Sequence, residues 1–115
     1  MTSAKLQDRD CEPYSAGQVS LDASTASGLL AQIDEGWASD ESVKSIARCF
    51  TFGNYYETLA FVNAVAWIAH QQDHHPDLLV RYRTCEVVYS THSVGGLSIN
   101  DFICAAKIDA LIPSR

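Results

Sequence analysis

The sequence predicts an α+β fold: a two-layer domain in which a four-stranded antiparallel sheet carries about three helices on one face. Three observations predict it. Tyr55 to Gln72 holds an apolar stripe at helical spacing, the longest such signal in the chain. Residues 46–52 and 80–90 alternate at period two, the signature of half-buried strands. The elements follow one another with short connections, in the order helix, two strands, long helix, strand, helix. Periodicity locates three of the four strands and leaves the fourth unplaced.

Composition limits the possibilities. At 115 residues, 47% apolar and 19% charged, the chain is one ordinary domain, able to bury roughly two-thirds of its unfolded surface. No apolar run approaches the ~20 residues of a membrane span, and the opening "MTSAKLQDRDCEP" is too polar for a secretory signal. A net charge of −6, from fourteen acidic and eight basic side chains, disfavours direct nucleic-acid binding, which rests on Lys and Arg neutralising phosphates. Cys11, Cys49, Cys85 and Cys104 form no C-x-x-C pair, and the last three sit in apolar segments. They read as reduced core thiols of a cytoplasmic protein.

Residues 1–22 have no sustained period and read as a weakly ordered leader, with a single domain over 23–115. A short helix follows, with Ser24 or Ser27 as cap candidate, Leu29, Leu30 and Ile33 on one side, and Gly36 at its end. Trp37 opens a strand, a turn near Ser39–Ser42 reverses the chain, and Ile46, Arg48, Phe50 and Phe52 alternate with Ala47, Cys49 and Thr51. Asn54 is the expected N-cap of the long helix, with Glu57 three residues on. Its buried stripe would use Leu59, Val62, Val65, Ala66 and Ala69. Pro76 stops this helix near His74–His75 and a loop follows. The strand from Val80 puts Arg81, Cys85, Val87 and Tyr89 on one face, and Thr84, Glu86, Val88 and Ser90 on the other. Ser98 and Asp101 have capping-box spacing before a last helix with Ile99, Phe102, Ile103 and Ala106 inward.

The stretch "HQQDHHPD" at 70–77 contains three of the four histidines, and His92 is the fourth. His70 and His74 share a helical face and could hold a metal, with His92, Asp73 or Asp77 as third ligand, but the glutamate of a zinc-protease motif is missing. Acid–base chemistry suits the cluster better. Histidine titrates near pH 6.5, so several histidines on one pocket can give and take protons. The plain alternative is a polar helix end in which histidines meet the helix dipole. For Asp101, helix capping alone is a complete explanation.

The segment "DHHPDLLVRYRTCEVVYSTHSVGGLSINDFICAAKID" carries more than a cluster. His74, His75, Pro76, Tyr82, Thr91, His92, Gly96, Leu97, Ser98 and Asp101, in this order, closely resemble the pterin-4a-carbinolamine dehydratases. Trp37, "FTF" at 50–52 and the "FVNAVAWIA" helix resemble them too, and the likeness covers roughly residues 29–112. The resemblance implies dehydration of 4a-hydroxytetrahydrobiopterin, or a related pterin, to the quinonoid dihydropterin. That reaction recycles the cofactor of aromatic amino-acid hydroxylases. It implies His74, His75 and His92 as catalytic residues, with Asp73, Ser90, Thr91 and Ser93 beside them against the pterin, and His70, Pro76 and Asp101 in support. It further implies no metal, no organic cofactor and a homodimer or homotetramer. An alternative is a non-catalytic pterin-binding or dimerisation and coactivator adaptor, since some relatives have two roles. Two positions depart from the pattern. His70 stands where a carboxylate is common, and Leu78 where an aromatic is frequent.

Overall fold

A computed structural model describes residues 5–112; residues 1–4 of the expected leader and 113–115 of the expected domain lie outside it. Helix α1 spans Ala23–Leu30, strand β1 Ala38–Ser39, β2 Ile46–Thr51, helix α2 Tyr55–Gln72, β3 Asp77–Val80, β4 Thr84–Tyr89 and helix α3 Ile99–Asp109. The four strands form one antiparallel sheet in the order β1-β2-β4-β3. The α+β architecture predicted from the sequence is the one observed.

The sheet is half-buried. Along β4, Cys85, Val87 and Tyr89 are buried while Thr84, Glu86 and Val88 are only partly so. Cross-strand partners share a face, so Ile46 and Phe50 of β2 lie on the same side as Tyr89 and Cys85. Helices cover this side. Phe61 of α2 stacks on Phe50 and Phe52, with ring centroids 4.5 and 5.0 Å away. The buried surface of α2 is Thr58, Phe61, Val65 and Ala69, a stripe rotated from the expected one, and Ala66 is exposed. Helix α3 is buried nearly all round, from Asp101 to Ala106 and at Ile108, because α1, α2 and an N-terminal 3-10 turn (Leu6–Asp8) all pack on it.

Several local expectations give way to specific interactions. Asp22, not Ser24 or Ser27, caps α1, accepting the Thr25 amide at 2.7 Å. That helix ends at Leu30, so Ile33 lies in the turn beyond it. The region after Pro76 is a strand and not a loop. Four residues are too few to display an alternation, and only the partnership of Asp77–Val80 with Val88–Cys85 reveals it. Arg81 lies in the hairpin turn, its amide donating to the Thr84 carbonyl at 2.8 Å, and β4 starts at Thr84. Cys49 is exposed on the open sheet face and Cys11 is half-buried, so Cys85 and Cys104 alone among the thiols are core residues. Trp37 is buried, and its indole donates to Asp109 Oδ1 at 2.8 Å. Arg48 reaches the same oxygen at 2.6 Å, which ties β2 to the end of α3.

The α2 start is as expected. Asn54 Oδ1 accepts the Glu57 amide at 2.8 Å. Asn54→Ala should therefore lower unfolding free energy by about 1 kcal/mol, read as a lower urea midpoint with an unchanged slope.

Candidate active site

The site begins where α2 ends. Asp73 adopts the left-handed conformation at φ 50°, ψ 43°, and its amide turns back to the carbonyls of Ala69 and His70. The His74 amide also reaches Ala69, at 3.1 Å. This closure, usually built on glycine, is one that aspartate tolerates. It stops the helix at Gln72, two residues before His74, and folds that histidine back onto the sheet. The His74 ring stacks on Tyr89 of β4, centroids 5.2 Å apart and planes 14° apart, and the Tyr89 hydroxyl donates to the His74 carbonyl at 3.2 Å.

The other face of the site comes from α3. Asp101 is in its first turn, forms a capping box with Ser98 and is fully buried. Its Oδ2 accepts from the Ser98 amide at 2.9 Å and from the Thr91 hydroxyl at 2.8 Å. Its Oδ1 lies 2.6 Å from His74 Nε2. A carboxylate only accepts, so Thr91 Oγ1 gives its proton to Asp101 and receives one from Ser98 Oγ, 2.8 Å away. Likewise Nε2 of His74 carries a hydrogen, which assigns the unprotonated nitrogen of neutral His74 to Nδ1. Capping is thus only half of what Asp101 does, since one oxygen serves the helix and Thr91 while the other holds a histidine.

Two opposed effects act on the His74 pKa. Burial disfavours the imidazolium, but the hydrogen bond and charge of Asp101 outweigh it, with smaller contributions from Cys104 and Asp73, and the net shift is upward. The Tyr89 pKa is also raised: burial pushes its hydroxyl above the usual phenol range, so it remains a donor.

His92 is placed by the same anchor through its neighbour. Thr91 and Gly96 bridge across a small loop, with the Thr91 amide 2.7 Å from the Gly96 carbonyl. The loop contains a 3-10 turn (His92–Val94) and closes on Gly95, whose φ of 70° suits glycine. His92 and Ser93 stand exposed on this loop, Ser90 is half-buried before it, and Thr91 is pinned beneath it. His75 and Asp73 are exposed on either side of His74, and Pro76 is partly covered. Among the described residues, no hydrogen bond or ring contact joins His74, His75 and His92 to one another. His70 is exposed and leans on Trp67, centroids 5.8 Å apart. Among the described residues no three His, Cys, Asp or Glu side chains are grouped to hold a metal ion.

Sequence reasoning missed Tyr89 and the second role of Ser98. Tyr89 lay on the buried strand face, and a buried phenol needs a partner for its hydroxyl. That requirement was the available signal.

The chain is similar to several known proteins. The family model described as pterin 4 alpha carbinolamine dehydratase matches residues 19–111. A protein of Nitrosomonas eutropha, provisionally named a pterin-4-alpha-carbinolamine dehydratase, is 53% identical over 109 residues, 95% of each chain. One of Legionella pneumophila (strain Paris), provisionally given the same name, is 47% identical over 97% of this chain and 98% of its own. Among solved structures, a transcriptional coactivator/pterin dehydratase from Brucella melitensis superposes with a TM-score of 0.77 at 28% identity, covering 82% of this chain and 99% of that one. A pterin dehydratase-like RuBisCO assembly factor of the α-carboxysome shares the fold at a TM-score of 0.60 and 22% identity, over 70% of this chain and 94% of that one. The chain belongs to the pterin 4 alpha carbinolamine dehydratase family.

Proposed function

We propose that the protein dehydrates a 4a-hydroxytetrahydropterin by histidine acid–base catalysis. The observation that carries this reading is the 2.6 Å contact of buried Asp101 with His74 Nε2, which commits one ring nitrogen and favours the protonated ring. An imidazolium so held offers its Nδ1 proton to the hydroxyl leaving C4a. The C4a–O bond breaks, water departs, and a base removes the N5 proton as the C4a–N5 double bond of the quinonoid dihydropterin forms. His92 is the base in this scheme, and His75 holds the pterin, with Asp73, Ser90 and Ser93 beside it. Thr91 acts from beneath, since its hydroxyl is already committed to Asp101. The reading extends to a cytoplasmic homo-oligomer that regenerates a pterin for an aromatic amino-acid hydroxylase.

A second reading has one observation in its favour. The Brucella melitensis neighbour carries both coactivator and dehydratase in its name. An adaptor needs a surface and no acid–base pair, so the buried Asp101–His74 contact supports catalysis over it.

Stopped-flow dehydration of synthetic 4a-hydroxytetrahydropterin tests the proposal. The protein should accelerate the spontaneous reaction, and His74→Ala/His92→Ala should lose roughly 10²–10⁴ of that acceleration while staying folded. Pterin binding without acceleration in the unaltered protein would favour the adaptor; neither binding nor acceleration would leave only a shared fold.

The same contact has a stability signature. The folded-state pKa of His74 lies above its unfolded value of 6.5, so its stabilisation is complete below that pH and fades as pH rises through the folded value. The stability advantage of the wild type over His74→Asn in urea should therefore shrink as pH rises above 6.5. An advantage that grew with pH would mean that His74 is held neutral.

A further inference from the structure

The N-terminal segment is fastened to the two elements that carry the site. Leu6 is buried against the core, and Lys107 Nζ donates to the Gln7 carbonyl at 3.0 Å. The Cys11 amide donates to Gln72 Oε1 at 2.7 Å, and Gln72 Nε2 donates to Asp10 Oδ1 at 3.1 Å. Asn100 holds the next residue at both backbone groups: the Glu12 amide donates to its Oδ1 at 2.8 Å, and its Nδ2 donates to the Glu12 carbonyl at 2.7 Å. Gln72 ends α2 two residues before His74, and Asn100 precedes Asp101. In the middle of this strap, Cys11 Sγ lies 3.5 Å from Cys104 Sγ. Cys104 is fully buried in α3, and Cys11 is half-buried.

We propose that Cys11 and Cys104 are a redox pair whose disulfide locks the N-terminal segment across the adjoining ends of α2 and α3. Two free thiols in van der Waals contact, on segments 93 positions apart in the sequence, need only a small approach of the sulfurs to bond. Their environments are complementary. The hydrogen bond from Cys11 favours the Cys104 thiolate against the cost of burial, with help from Tyr89 and His74, whereas Cys11 is driven toward the neutral thiol. Cys11 is the sulfur an oxidant can reach, and Cys104 is the one poised to resolve.

The oxidant is a small disulfide. The Cys11 thiol passes its proton to the neighbouring Cys104 thiolate as its sulfur attacks one sulfur of the disulfide; that S–S bond breaks and one thiolate leaves. Cys104, giving that proton up to solvent, then attacks the Cys11 sulfur and expels the second thiolate. Two electrons pass from the pair to the reagent, which ends as two thiols. A dithiol reverses the sequence.

The test uses Cys49→Ser protein, because Cys49 is the exposed thiol that would form adducts of its own. The protein is equilibrated with oxidised glutathione, alkylated, and analysed by intact mass, peptide mapping and thermal melting. The expected product is a monomer about 2 Da lighter, with Cys11 and Cys104 cross-linked and Cys85 alone alkylated once unfolded. Its melting point should rise by roughly 10 °C or more and return with dithiothreitol. Cys11→Ser/Cys49→Ser should show neither change. A stable glutathione adduct on Cys11, two thiols that stay alkylatable, or a cross-link without a thermal shift would each overturn the proposal.

Discussion

A buried carboxylate is the constraint on which the site rests. Removing an ion from water costs several kcal/mol unless hydrogen bonds replace the lost hydration, and Asp101 is fully buried. Its partners come from three separate places: Ser98 at the start of α3, Thr91 after β4, and His74 after α2. Each of these three hydrogen bonds therefore fixes one end of an element. Loss of this side chain would leave three donors facing a dry interior, which is why capping and chemistry cannot be separated at this position.

The sheet order makes the meeting possible. Strand β3 lies at the edge and β4 lies inside it, so the chain leaving α2 turns along β3 and returns through β4. His74, three residues before β3, and Thr91 and His92, just after β4, are thus brought to one end of the sheet, since the two strands are antiparallel. Asp73 starts the turn in a left-handed conformation, and Gly95 closes the loop on the far side. Tyr89, at the last position of β4, supplies the flat surface on which His74 rests. Two histidines, one against the carboxylate and one on the loop that Thr91 ties to it, follow from this crossing.

Much of this was legible before any coordinates. The long helix was readable because eighteen residues give its period room to show, and its cap because Asn54 and Glu57 have the required spacing. The histidines stood out by their number, and their order with Pro76, Gly96 and Asp101 carried the family. What escaped was of two kinds. Strand β3, DLLV, is four residues long and mostly exposed, so its apolar residues show no alternation that would mark it as a strand. The Asp101–His74 contact joins residues 27 positions apart, and an aspartate that explains itself as a cap gives no local sign of a second partner. Likewise the aperiodic first residues hid a strap whose anchors, Gln72 and Asn100, are ordinary surface amides until the fold brings them near.

The central claim is that Asp101 holds the His74 ring through Nε2 and favours its charged form. The most direct test is a pH titration of the histidine ring nitrogens by ¹⁵N NMR in the wild type and in Asp101→Asn. The account predicts that His74 titrates above its ordinary 6.5, that its neutral form carries the proton on Nε2, and that both features are lost when the carboxylate is replaced. A His74 that titrates at or below 6.5, or that is indifferent to the substitution, would contradict it.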